Sequence, residues 1–173
     1  MDLLERFARG DLDAFELLFR QFHRDVHGWL VRLTRDPAAA DDLTVEVFWR
    51  IYKAHARFDP TRSFGAWARR IASNAALDHL RRVARERAAT ASAAVRTGTA
   101  DSTGRRDLHL RVERAFSTLP PKLRVVAELA LVEEWPQEEI ADALGISRSA
   151  VKARAFRAMK YLKHALQREG FEP

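Results

Sequence analysis

EEIADALGISRSAVKARAFR, residues Glu138 to Arg157, decides how the rest of the chain is read. Ile140, Ala141 and Leu144 fall on one helical face. Gly145 stands where that helix must end in a left-handed cap. Ile146 plugs the turn and Ser147 caps a second helix, whose buried stripe is Val151, Ala155, Ala158 and Leu162. The opposite face carries Ser149, Lys152, Ala153, Phe156, Arg157 and Lys160, and no acidic residue occurs from Ser147 through Arg168. A helix entering a major groove needs cations for phosphates and a few side chains for base edges. A basic amphipathic helix in a bundle, its charges merely solvated, has a similar composition. The small alanine, the turn glycine and the capped basic helix occur together here, and together they read as a DNA-binding helix-turn-helix.

The remaining composition agrees with an anionic partner. The chain has 173 residues, which permits one ordinary domain or two small ones. It is 47% hydrophobic with a formal net charge of +6, so it has enough apolar residues for a core and favours nucleic acid. The charge is uneven: the opening fifty residues are mildly acidic, and basic residues gather at Arg62–Arg87 and Arg148–Arg168. Cysteine is absent, which excludes disulfides and thiolate metal sites. The N-terminus, MDLLERFARGD, has no apolar signal core, and no apolar run is long enough to span a bilayer. The expectation is a cytoplasmic protein with no membrane insertion.

Nearly every long segment has helical period. Asp11 is positioned to cap a helix striped by Ala14, Phe15, Leu18, Phe19, Phe22, Val26 and Leu30. Asp36-Pro37 opens another, with Leu43, Val47, Phe48, Ile51 and Tyr52. Arg57–Ser63 is a turn cluster, and Ser63 could cap a helix burying Trp67, Ile71 and Ala75. Leu108, Val112, Ala115, Phe116 and Leu119 mark a later helix, ended by Pro120-Pro121. A further helix runs to about Glu134, and Pro136 can begin the next one. No strand pattern is evident. The fold class is therefore all-α: two small helical domains, 1–84 and 107–173, joined by a small, polar, flexible linker over 85–106.

The first half has no phosphate loop, metal spacing or phosphoacceptor pattern, and no cofactor is expected. Its informative stretch is RFDPTRSFGAWARRIASNAALDHLRR, where Phe58, Phe64 and Trp67 are mixed with arginines and Asn74. Aromatic and cationic groups together suit a single strand whose bases are stacked or captured. The competing readings are a core Trp67 and a hydrogen-bonded core amide for Asn74.

Taken with GDLDAFELLFRQF, DPAAADDLTVEVFWRIY, LPPKLRVV and EEIADALGIS, this stretch resembles bacterial sigma factors of the extracytoplasmic-function (ECF) group in the sigma-70 family. The resemblance covers almost everything except the linker. It implies a factor that binds core RNA polymerase and directs it to promoters. The helix at Asp41–Tyr52 would dock on the clamp coiled coil of the largest subunit, through Asp41, Asp42, Val45, Glu46, Phe48 and Trp49. The flap region of the polymerase is a further expected contact. Arg62, Phe64, Arg69, Arg70 and Asn74 would meet the −10 element, with the Arg57–Ser63 loop helping to capture a flipped base. Arg148, Ser149, Lys152, Arg154, Phe156 and Arg157 would meet the −35 element as duplex. An anti-sigma factor is a further expected partner, and no fused sensor domain is expected.

The chain departs from the family pattern at several positions. Val45 stands where many relatives have glutamine, and Ala150 and Ala153 where relatives commonly carry threonine and serine. Glu134 occupies a common glycine position, and Pro136 replaces a serine cap. His23 and His27 have a spacing that could bind metal, but no third ligand accompanies them. Glu133-Glu134 and Glu138-Glu139 lack a nucleophile or pocket, and Ser73, Ser102 and Ser117 lack a triad context. No enzyme activity of its own is expected. The rival readings are a dimeric helix-turn-helix repressor or activator, and a decoy that keeps the fold without initiating.

Overall fold

The computed structural model describes residues 1–91, 104–168 and 170. Its helices are α1 (Leu3–Ala8), α2 (Leu12–Thr34), α3 (Pro37–Lys53), α4 (Phe64–Ala91), α5 (Gly104–Thr118), α6 (Pro121–Ala127), α7 (Gln137–Leu144) and α8 (Arg148–Arg168). No strand occurs among the described residues. Two compact units form, one built mainly on Met1–His79 and the other on Leu80–Ile140 and the segment from Ser147 onward.

In the first unit, local chemistry sets the helix ends. Asp2 and Glu5 form a reciprocal capping box on α1. Gly10, at φ 85, turns the chain, and Asp11 Oδ1 then accepts from the Asp13 and Ala14 amides at 3.0 and 3.1 Å. Arg6 Nε donates to the other Asp11 oxygen at 2.7 Å. That bond, with the Ala14 amide, holds the Asp11 carboxyl below its ordinary range. Arg35, left-handed at φ 55, closes α2, and Asp36 caps α3 through the Ala39 amide ahead of Pro37. The 3.6-residue stripes then meet. Leu18, Val26, Trp29, Leu30 and Leu33 of α2 are buried, as are Leu43, Val47, Phe48 and Ile51 of α3.

An aromatic cluster ties α1 and the α3–α4 loop to α4. Phe7 lies 5.4 Å from Phe64 and 5.7 Å from Phe58, edge to face, and Phe58 lies 5.0 Å from Trp67. His55 Nδ1 reaches the Ala8 carbonyl at 3.1 Å and secures the end of α1.

The second unit buries Phe116, Leu119, Leu123, Ala127 and Ala158, with Val112, Leu131 and Leu162 packed against them. Pro121 opens α6, where its missing N–H costs nothing. A π-helical turn, Glu128–Val132, follows and closes through the Trp135 amide on the Leu129 carbonyl at 2.9 Å. Glu134 takes φ 51 to complete that turn. A glycine at this position would meet no steric penalty there.

The helical reading of both halves holds. α4 continues to Ala91, seven residues past the anticipated boundary at 84, and α5 begins at Gly104. Ala, Arg and Glu fill Ala84–Ala89, all good helix formers, and Arg82 lies 3.6 Å from Glu86 one turn on. The rest of the expected linker lies outside the described residues.

Candidate nucleic-acid interface

The turn between α7 and α8 is built as its sequence requires. Gly145 sits at φ 64, its amide on the Asp142 carbonyl at 3.2 Å, while the Ile146 amide reaches the Ala141 carbonyl at 3.0 Å. Those paired bonds satisfy the last carbonyls of α7. Ser147 Oγ accepts from the Ala150 amide at 3.2 Å and lies 2.9 Å from Ser149 Oγ. Val151 and Ala158 are buried, and Ser149, Lys152, Ala153, Phe156 and Arg157 are exposed on the far side of α8. Phe156 is 71% exposed, which no packing role explains. Arg157 Nε donates to the Ala153 carbonyl at 3.2 Å, so its stem lies along the helix. Arg148 Nη1 sits 2.8 Å from Glu138 Oε1 and spans the turn, and Arg154 is half-buried. The outward face is thus cationic with one aromatic ring, a composition that fits a groove edge.

The basic start of α4 has a different character. Asp59 accepts from the Thr61 hydroxyl at 2.7 Å and the Thr61 amide at 3.0 Å, and these bonds hold its carboxyl below the ordinary range. Arg62 Nε lies 3.6 Å from Asp59. Ser63 Oγ accepts from the Ala66 amide at 3.3 Å, the expected cap. A hollow beside this loop and the first turns of α4 is lined by Arg57, Asp59, Arg62, Trp67, Arg70 and, from α7, Asp142. Arg62, Arg70 and Asn74 are exposed, and Arg69 is half-buried. Asn74 is therefore not a core amide. Phe64 corrects the sequence reading: it is 3% exposed, locked among Phe7, Phe22, Phe58 and Trp67, and has no face for a base. Trp67 is half-buried at the edge of that cluster.

On α3, Asp41, Asp42, Val45, Glu46 and Trp49 are exposed, Val45 at 72% and Trp49 at 55%. Phe48 is a second correction. It is buried with its ring 4.7 Å from Phe19, and it shapes the helix from beneath rather than anchoring a partner. The spacing of apolar positions on α3 was sufficient to show this. Lys53 Nζ sits 4.8 Å over the Trp49 ring, and Arg50 pairs with Glu46. His27 Nε2 lies 2.8 Å from Asp41 Oδ1, a pairing that sequence reasoning missed because the partners are 14 residues apart on different helices. Among the described residues no cluster of His, Cys, Asp and Glu could hold a metal ion. No described helix is long and apolar enough to cross a membrane.

Comparison with known proteins agrees with this arrangement. Residues 18–86 match the Sigma-70 region 2 model, and residues 109–162 match the Sigma-70, region 4 model. The chain is 35% identical to RNA polymerase sigma factor CarQ of Myxococcus xanthus, over 94% of this chain and 95% of that protein. It is 31% identical to ECF RNA polymerase sigma factor SigM of Mycobacterium tuberculosis, over 95% of this chain and 83% of the relative. Among solved structures, CnrH in complex with the cytosolic domain of CnrY aligns with a TM-score of 0.62 and 27% identity, covering 95% of both chains. With both region models matched in order and these relatives spanning nearly the whole chain, the protein belongs to the ECF group of sigma-70 family sigma factors.

Proposed function

We propose that this sigma factor recruits core RNA polymerase to promoters whose −35 element is read as duplex by α8 and whose −10 element is captured as an opened strand by α4 and the Arg57–Ser63 loop. The observation that carries this reading is the outward face of α8: Ser149, Lys152, Phe156 and Arg157 exposed behind a Ser147 cap, opposite a buried Val151 and Ala158. Lys152, Phe156 and Arg157 reach base edges, Ser149 and Arg154 meet phosphates, and Arg148 steadies the turn. On α4, Arg62 and Arg70 hold the strand backbone, and the Asn74 amide reads a base edge. Arg69 supports that surface from its half-buried position.

The exposed acidic and aromatic face of α3 docks on the clamp coiled coil of the largest polymerase subunit, with Trp49 and Val45 as apolar anchors and Asp41, Asp42 and Glu46 as steering charges. The 107–173 domain also meets the flap region. The two functional domains are 1–84 and 107–173, with α4 extending beyond the first. The chain works in the cytoplasm, needs no cofactor, and leaves catalysis to the polymerase. An anti-sigma regulator is part of this reading; CnrH, similar to this chain over its length, is held by a protein partner, the cytosolic domain of CnrY.

In-vitro transcription with purified core polymerase and a fragmented genomic library tests the reading. Defined starts sharing two upstream motifs are expected. Polymerase binding without starts would instead indicate a decoy, and the absence of polymerase binding would sink the initiation role.

A further inference from the structure

Large buried side chains anchor α4 at its start, Phe64, and farther along, Leu77 and Leu80, and the inner face between them is small. Its fully buried positions through the middle of the helix are Ala68, Ala72, Ser73, Ala75 and Ala76. Packed helices keep their register by seating side-chain ridges in grooves, and an alanine ridge is low. Between those anchors, dispersion alone therefore opposes a small local rotation of α4 only weakly. Two contacts with α2 carry direction. Phe22 lies 5.0 Å from the Phe64 ring, and a Cβ at Gly65 would meet Phe22 Cε1 at 3.1 Å. Farther along, Trp29 Nε1 donates to Ser73 Oγ at 2.9 Å, both residues buried. The first contact is apolar and lies at the start of the helix, among the rings that hold Phe64. The second is directional, since a hydrogen bond weakens steeply with misalignment. Ser73 immediately precedes Asn74 and lies one turn beyond Arg70.

The geometry points to the Trp29–Ser73 hydrogen bond as the rotational pin of the small-residue middle of α4. It sets the angle at which Asn74 and Arg70 meet the opened −10 strand, and makes Trp29 and Ser73 positioning residues for promoter melting. This rests on the reading of α4 given above. Rotation of the helix by one residue's share, about 100°, would turn Asn74 off its face, and even a fraction of that misplaces a base-reading amide.

The test uses holoenzyme reconstituted with the unaltered chain, Trp29→Phe, Ser73→Ala and the double variant. Affinities for a non-template-strand oligonucleotide carrying a mapped −10 sequence and for its scrambled form give a discrimination ratio. Thermal midpoints and −35 duplex binding are measured alongside. Each single variant should lower the ratio roughly tenfold, the scale of one lost base contact, with −35 binding unchanged. Ser73→Ala takes away the acceptor of a buried indole N–H and should lower the midpoint most; the double variant removes the donor as well and should regain part of the midpoint. Its discrimination should stay low. Discrimination that recovers together with the midpoint, or that never falls in either single variant, overturns the pin. If the unaltered holoenzyme does not discriminate, the reading of α4 fails before any variant is compared, and this inference fails with it.

Discussion

At the scale of single residues, Glu134 gives the sharpest expectation. It holds φ 51 at the end of the π-helical turn, a region that costs an L side chain roughly 1–2 kcal/mol. Glu134→Gly relieves that cost and loses part of it to added freedom in the unfolded chain. A net gain of about 0.5–1 kcal/mol is expected in thermal or denaturant unfolding. A loss of stability would show that the Glu134 side chain contributes more than its backbone costs. Asp11 gives a pH-dependent expectation. Its carboxyl, hydrogen-bonded by Arg6, titrates below its unfolded value, so the stabilisation is present above that value and is lost as pH falls through the folded one. Asparagine caps a helix about as well as aspartate, so Asp11→Asn isolates the charge. The gap in thermal midpoint between the two chains should be steady from neutral pH to about 5 and close below about 4. A gap that persists in acid would assign the effect to the cap rather than the ion pair.

At the scale of elements, burial separates two phenylalanines that look alike in sequence. Phe64 fills an aromatic core, and Phe64→Ala should cost about 3–5 kcal/mol of stability. Phe156 stands out from α8, and Phe156→Ala should leave the melting midpoint almost unmoved while weakening use of promoters. Unfolding curves and start-site yields on the same preparations decide between these outcomes. The α3 surface makes a parallel case. Trp49→Ala should weaken core polymerase binding by about 2 kcal/mol, as an exposed aromatic anchor does, whereas the buried Phe48 acts through the fold. Equal loss of polymerase affinity from a folded Val45→Ala, with none from Trp49→Ala, would move the anchor along the helix.

At the scale of the whole molecule, charge is divided between tasks. The acidic face of α3 suits a basic protein surface, and α8 has no acid along its length, so one chain with a net charge of +6 can meet both protein and DNA. Promoter binding by the holoenzyme should therefore weaken steeply with salt. Replacing one phosphate-directed cation such as Arg154 with glutamine should reduce the logarithmic salt slope by about one without changing the preferred sequence. A change of preferred sequence instead would make Arg154 a reader of bases.

The sequence by itself determined the long helices of each half, though not the six-residue α1, together with the capped turns at Asp11, Asp36, Ser63 and Ser147, the glycine turn before α8 and the basic face beyond it. Those features are local: they follow from side chains bonding to backbone within a few residues and from the 3.6-residue period. Helix propensity also carried α4 beyond residue 84, where polarity had suggested a linker, because polar composition alone does not end a helix of Ala, Arg and Glu. Only the tertiary structure decided that Phe64 faces no solvent. Phe64 is buried because α1, α2 and the Arg57–Ser63 loop, distant in sequence, converge on it, whereas the apolar stripes had already placed Phe48 inward and Phe156 outward. The Trp29–Ser73 bond, 44 residues apart in the chain, and the His27–Asp41 pair belong to the same class. Such contacts depend on how helices are placed against one another, and no spacing within one helix encodes that placement.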